Sequence, residues 1–276
     1  MLTFVALGDS TTAGVGDPMP DGTWRGWAAL LAEGLGAPGD VAFHNLARSG
    51  ALTGDVATEQ LPAALARRPQ VAALVVGVND TLRGAFDGAD VGRLLDRTVG
   101  ALTGGGAVVL TACLPDPGRM FRLPGVLARP LGRRIAAVNA AVHRAALRHG
   151  ALHLHIPELP GAYDAPMWSV DRLHPGERGH RLLAGAAYDT LVAAGMPGRR
   201  RPDADPGNPP PGRRARLRWL ATRGTRWALA RSTDLLPDLA RLAVAEWRGA
   251  GTRDVRLEAY AEAGPRQPAR GRPGVR

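Results

Sequence analysis

Five short apolar runs punctuate the first 156 residues: Leu2–Leu7, Val41–Leu46, Val71–Val76, Ala107–Cys113 and Ala151–Ile156, each flanked by Gly, Pro, Asp or Asn. Runs of this length bounded by turn formers predict buried strands. Between them, the longer segments Trp24–Leu35, Val56–Arg68, Val91–Leu102, Leu131–Arg148 and Glu177–Ala194 repeat apolar residues at helical spacing. Strand alternating with helix predicts a parallel sheet covered on both faces, since each crossover helix must bury its apolar stripe against the sheet. Five strands give a three-layer α/β/α sandwich whose ligand crevice lies at the carboxyl ends of the strands.

Two stretches break the rhythm. Leu114 to Pro130 is rich in Pro and Gly and is expected to lack regular structure, yet it carries Met120, Phe121, Leu123, Val126 and Leu127. It reads either as a lid or acyl-binding loop, or as a surface loop whose apolar groups pack on the core. Residues 199–213, with their arginines and prolines, read as a stiffened linker. Residues 1–198 are thus expected to form the main domain. Residues 214–276 form a basic extension with two amphipathic segments, ending around Trp247, and a disordered end.

Charge sharpens that boundary. Residues 1–198 hold 17 Arg against 17 acidic residues, whereas 199–276 hold 18 Arg against 8, so the formal charge of +10 belongs to the tail. Every basic residue other than histidine is a guanidinium, because the chain has no Lys. Cys113 is the only cysteine, which excludes an intrachain disulfide and suits a reducing compartment; its expected role is a small buried hydrophobe. Met1 leads straight into a predicted strand without a signal-peptide pattern, and no apolar run approaches the roughly 18 to 20 residues needed to span a bilayer. A soluble, cytoplasmic protein is the expectation.

Chemistry concentrates where strands end. Ser10 follows the first apolar run in Leu7-Gly8-Asp9-Ser10, Asn79 follows the third in Gly77-Val78-Asn79-Asp80, and Asp171-Arg172-Leu173-His174-Pro175 comes last. A serine hydroxyl is a weak nucleophile at neutral pH and needs a positioned base plus donors aimed at the developing oxyanion. His174 fits the base, Asp171 can orient its ring, and Asp9 supports the turn. Donors can come from the Ser10 and Gly50 backbone N–H groups and the Asn79 amide. Gly54 is an alternative to Gly50 if the second strand ends later.

These blocks resemble the SGNH (GDSL-like) hydrolase superfamily over about residues 1–195, with Ser10, Gly50, Asn79 and His174 at the four named positions; Thr11 stands where the first block usually has Leu. The resemblance implies a flavodoxin-like SGNH fold and serine esterase or lipase chemistry without a cofactor. It implies an ester substrate, and leaves acyl transfer or carbohydrate O-deacetylation open on the same site. The Gly-x-Ser-x-Gly elbow of α/β-hydrolases is absent.

Competing readings remain. His153 and His155 alternate and would share one strand face, but two imidazoles do not close a zinc site, so no metal is assigned. His44 is expected in the core and His180 as structural or exposed. The tail supports a rival from another class, a module binding a polyanion or membrane surface. It sets Trp219, Trp227 and Trp247 among Arg213, Arg214, Arg216, Arg218, Arg223 and Arg226. No specific nucleic-acid binding is expected, and the sequence does not fix the oligomeric state.

Overall fold

Burial explains why the apolar runs become strands. In the computed structural model β3 (Val71–Val75) is buried at every position, β1 (Leu2–Gly8) at all but its first two, and β4 (Val108–Cys113) at all but its first. β2 (Val41–Asn45) and β5 (Leu152–His155) are partly exposed. The last two form the edges of one all-parallel sheet of order β2-β1-β3-β4-β5. His44 therefore sits half-buried on an edge strand rather than in the core expected for it. The structure describes residues 1–208 and, beyond them, only positions 221, 241 and 244. The expected extension at 214–276, with its tryptophans, otherwise lies outside the described residues.

The helices follow in chain order. α1 (Gly26–Leu35) leads to β2; α2 (Thr53–Asp55) and α3 (Leu61–Leu65) flank a π-type turn at Val56–Gln60; α4 (Val78–Thr81) leaves β3. α5 (Gly88–Gly104) precedes β4, α6 (Pro117–Met120) and α7 (Gly125–His149) follow it, and α8 (Glu177–Ala193) comes after β5. α1 packs with α8, and α5 with α7, giving the expected three-layer α/β/α sandwich. The order is that of flavodoxin-like sheets, which reverse direction beside β1 and open a crevice there.

The 114–130 segment departs from expectation. Asp116 caps α6 by accepting the Gly118 N–H at 2.7 Å, and α7 begins at Gly125 with Pro130 inside it. Pro130 is the sixth residue of α7, past the first turn, so the bond its N–H would have given the Val126 carbonyl is missing from the ladder. The apolar side chains divide between the two roles considered: Met120 lines the cleft described below, whereas Leu123 and Leu127 pack on Leu82 and Leu131. α7 ends at Gly150, whose φ of +68° supplies the left-handed cap.

Part of the segment expected as a linker lies against the body. The Arg199 and Arg200 N–H groups donate to the Gly34 carbonyl, Arg201 pairs with Asp189, and the Glu177 carboxylate accepts the Gly207 and Asn208 N–H groups. Glu177 also meets Arg25, which binds the fully buried Asp17, so one carboxylate joins α8 to the start of α1 and to the chain beyond residue 198. Among the described residues, no helix is long and apolar enough to cross a membrane.

Candidate active site

Ser10 sits immediately after β1 because the strand ends against its neighbours at Gly8. Gly8 has φ +151°, and a Cβ there would lie 2.2 Å from the Val75 carbonyl oxygen, so only glycine fits. Its backbone is held by a side chain that the motif does not contain. Gln60, buried in the π-type turn, accepts the Gly8 N–H at 2.8 Å and donates to the Gly8 carbonyl at 2.9 Å. Asp9 then accepts the Thr11 N–H at 2.9 Å and fixes the turn carrying Ser10. Burial pushes the Asp9 carboxyl up to about 6, against the lowering effects of the Thr11 hydrogen bond and the nearby His174.

The partners of Ser10 arrive 164 residues later. His174 Nε2 lies 2.8 Å from Ser10 Oγ, and His174 Nδ1 lies 2.7 Å from Asp171 Oδ2. A three-residue separation works here because Arg172 takes a left-handed φ of +56°, turning the chain back so that the Ser169 N–H reaches the His174 carbonyl. Asp171 Oδ1 accepts from Ser169 Oγ at 2.6 Å and from the Leu173 and His174 N–H groups at 2.9 and 3.0 Å. Burial opposes ionisation of Asp171, but these bonds, led by the one from His174, outweigh it and hold the carboxyl at about 2. An ionised Asp171 fixes the proton on Nδ1 and leaves the Nε2 lone pair facing the serine hydroxyl.

Asn79 occupies the start of α4, beyond the crevice from His174. Its amide donates one N–H to the Ala51 carbonyl at 3.1 Å, which leaves the second for another acceptor. Asp80 anchors the same turn by accepting from the Thr53 hydroxyl and N–H. Gly50 precedes Ala51 in an exposed turn with φ +82°. Ser10, Asn79 and His174 line one cleft; Gly50 is not among its lining residues. The other walls are largely apolar, with Val75, Leu114, Met120, Ile156, Met167 and Trp168.

The fully buried His180 belongs to the scaffold. Its Nδ1 accepts the Trp27 N–H and its Nε2 donates to the Val15 carbonyl, at 3.1 Å each, tying α8 to α1 and to the turn after β1. Gln60 and Ser169 carry no motif signal, because a lone polar residue inside a helical or loop pattern says nothing of its partner. His153 and His155 do share a face, and the fold adds Cys113 and His143 beside them.

Residues 6–182 match the GDSL-like Lipase/Acylhydrolase family. No curated protein matches the chain. Among solved structures it is similar to TesA, at 25% identity over 69% of this chain and 98% of that one, with a TM-score of 0.55. It is also similar to the psychrotrophic esterase EstA from a Pseudoalteromonas species, in a structure inhibited by monoethylphosphonate, at 20% identity, 70% and 98% coverage and a TM-score of 0.54. A third similar structure is that of an Axe2 variant, an acetyl xylan esterase from Geobacillus stearothermophilus, at 17% identity, 71% and 95% coverage and a TM-score of 0.56. The last two likenesses speak for the fold; the family match covers well over half of the chain and carries the assignment. The chain belongs to the GDSL-like lipase/acylhydrolase family and is a serine hydrolase acting on ester bonds.

Proposed function

We propose that the protein hydrolyses esters of apolar carboxylic acids through an acyl-enzyme on Ser10. The observation that carries this reading is the continuous line Ser10 Oγ, His174 Nε2, His174 Nδ1, Asp171 Oδ2, with spacings of 2.8 and 2.7 Å across the ring. In the first half-reaction Ser10 Oγ attacks the ester carbonyl while His174 Nε2 takes its proton, and Asp171 stabilises the imidazolium. The oxyanion receives the Ser10 N–H and the second N–H of Asn79. Collapse expels the alcohol, which takes the proton from His174 and leaves the acyl group on Ser10. A water then gives its proton to His174 as it attacks the acyl-enzyme; the carboxylic acid departs and the proton returns to Ser10.

The apolar cleft walls favour an acyl chain or aryl group over a bare acetate on a sugar. A panel of p-nitrophenyl esters from acetate to palmitate tests this. The expected kcat/KM rises beyond acetate, and Ser10→Ala lowers it by at least about 10⁴-fold for every ester. A fluorophosphonate is expected to label Ser10. Neither turnover nor labelling in the wild type, under conditions where a control esterase shows both, would overturn the nucleophile assignment. A maximum at acetate would overturn the apolar acyl preference alone.

A further inference from the structure

The parallel ladder sets four donor residues together on the α7 side of β4 and β5. Thr111 is registered with His153 and Cys113 with His155, so all four side chains lie on one sheet face. α7 crosses this face, where Asn139 is fastened to Leu114 by hydrogen bonds of 2.7 and 2.8 Å, and His143 follows one helical turn later. The ligating atoms of Cys113, His153 and His155 all lie within 4.8 Å of one another. The His143 ring packs on both imidazoles, with centroids 4.8 Å from that of His153 and 5.2 Å from that of His155.

The hydrogen bonds orient these donors. Thr111 Oγ1 lies 3.1 Å from the Leu152 carbonyl, to which it donates its only hydrogen; at 2.7 Å from His153 Nδ1 it therefore accepts the ring N–H. That fixes the tautomer whose Nε2 lone pair faces Cys113 Sγ, 3.0 Å away. A hydroxyl or carbonyl behind the distal ring nitrogen is the usual arrangement around metal-bound histidine. Without a metal, the same contact is a thiol donating to an imidazole, with the other rings packed around it.

We propose that Cys113, His153 and His155 form a binding site for a zinc-class divalent cation, with the fourth position open to His143, whose ring packs on both imidazoles, to the Glu158 carboxylate, 3.8 Å from His155 Nδ1, or to water. One thiolate and neutral imidazoles are a donor set that suits zinc and cobalt over calcium or magnesium. Tetrahedral zinc separates a ligating sulfur and nitrogen by about 3.5 Å, so the Cys113–His153 pair opens slightly and the other imidazoles swing inward. Binding exchanges the Cys113 S–H bond for a sulfur–metal bond and releases that proton to solvent; nothing is oxidised or reduced. The metal would clasp the ends of β4 and β5, immediately before the cleft residues Leu114 and Ile156.

The test is titration of the metal-stripped full-length protein with cobalt(II), followed by zinc. The expected result is a thiolate-to-cobalt charge-transfer band with tetrahedral ligand-field absorption, saturating at one ion per chain and removed by zinc. Cys113→Ser and His155→Gln are each expected to weaken cobalt binding by about 100-fold or more, and Thr111→Val by about 10- to 100-fold through loss of ring orientation. His44→Gln, on the far edge strand, leaves binding unchanged. A wild-type protein with no saturable charge-transfer band would overturn the proposal whatever the variants do. So would undiminished binding by a folded Cys113→Ser or His155→Gln protein, with folding checked by far-UV circular dichroism.

Discussion

Asp9 and His180 are buried titratable groups with opposite effects on stability. Burial raises the Asp9 carboxyl from 3.8 to about 6, so between those values the folded chain keeps a proton that the unfolded chain gives up. Raising the pH through that window costs stability, on the order of 3 kcal/mol at most. Burial pushes His180 from 6.5 down to about 4, so there it is lowering the pH that costs stability. The two slopes oppose one another from about pH 4 to about pH 6. Asp9→Asn keeps the Thr11 hydrogen bond, removes one slope and is expected to make the protein more acid-labile across this window. Urea midpoints measured across it check this; a profile parallel to the wild type would refute it. Asn79→Ala removes one proposed oxyanion donor and is expected to lower kcat by about 100- to 1000-fold with little change in KM, read from steady-state kinetics on a p-nitrophenyl ester.

At the scale of elements, what was legible in the sequence was what repeats or concentrates. The five apolar runs announce the strands, and the blocks around Ser10, Asn79 and His174 announce themselves because Gly, Asp, Asn and His cluster at strand ends. Pairings made by single polar residues leave no such trace. Gln60 lies in what reads as an ordinary helix, and only the fold shows that it holds both backbone groups of Gly8. The start of α7 was hidden for another reason: Pro130 reads as a breaker, yet the helix runs through it. The Cys113 and His143 neighbourhood depends on strand register and on α7 crossing the sheet, and neither is written in spacing. Gln60→Leu preserves the volume but strips the Gly8 N–H of its acceptor, so it is expected to destabilise by about 1–3 kcal/mol, measured by denaturant unfolding. It should also lower kcat by loosening the turn before Ser10.

On the scale of the molecule, the chain beyond residue 198 has two parts with different expected consequences. Residues 199–208 return to Gly34, Asp189 and Glu177, so truncation after Gly198 is expected to lower the melting temperature by about 5–10 °C, as several hydrogen bonds and one ion pair are lost together. Truncation after Asn208 keeps those contacts, so a drop in melting temperature between the two truncations belongs to residues 199–208; differential scanning calorimetry measures it. The bond between Ser10 and His174 has a temporal consequence. It joins positions 164 residues apart, and contacts of such long sequence separation form late because the intervening loop must close first. Turnover regained after dilution from denaturant should therefore lag behind recovery of helical ellipticity, making the reaction itself a clock for the final docking step.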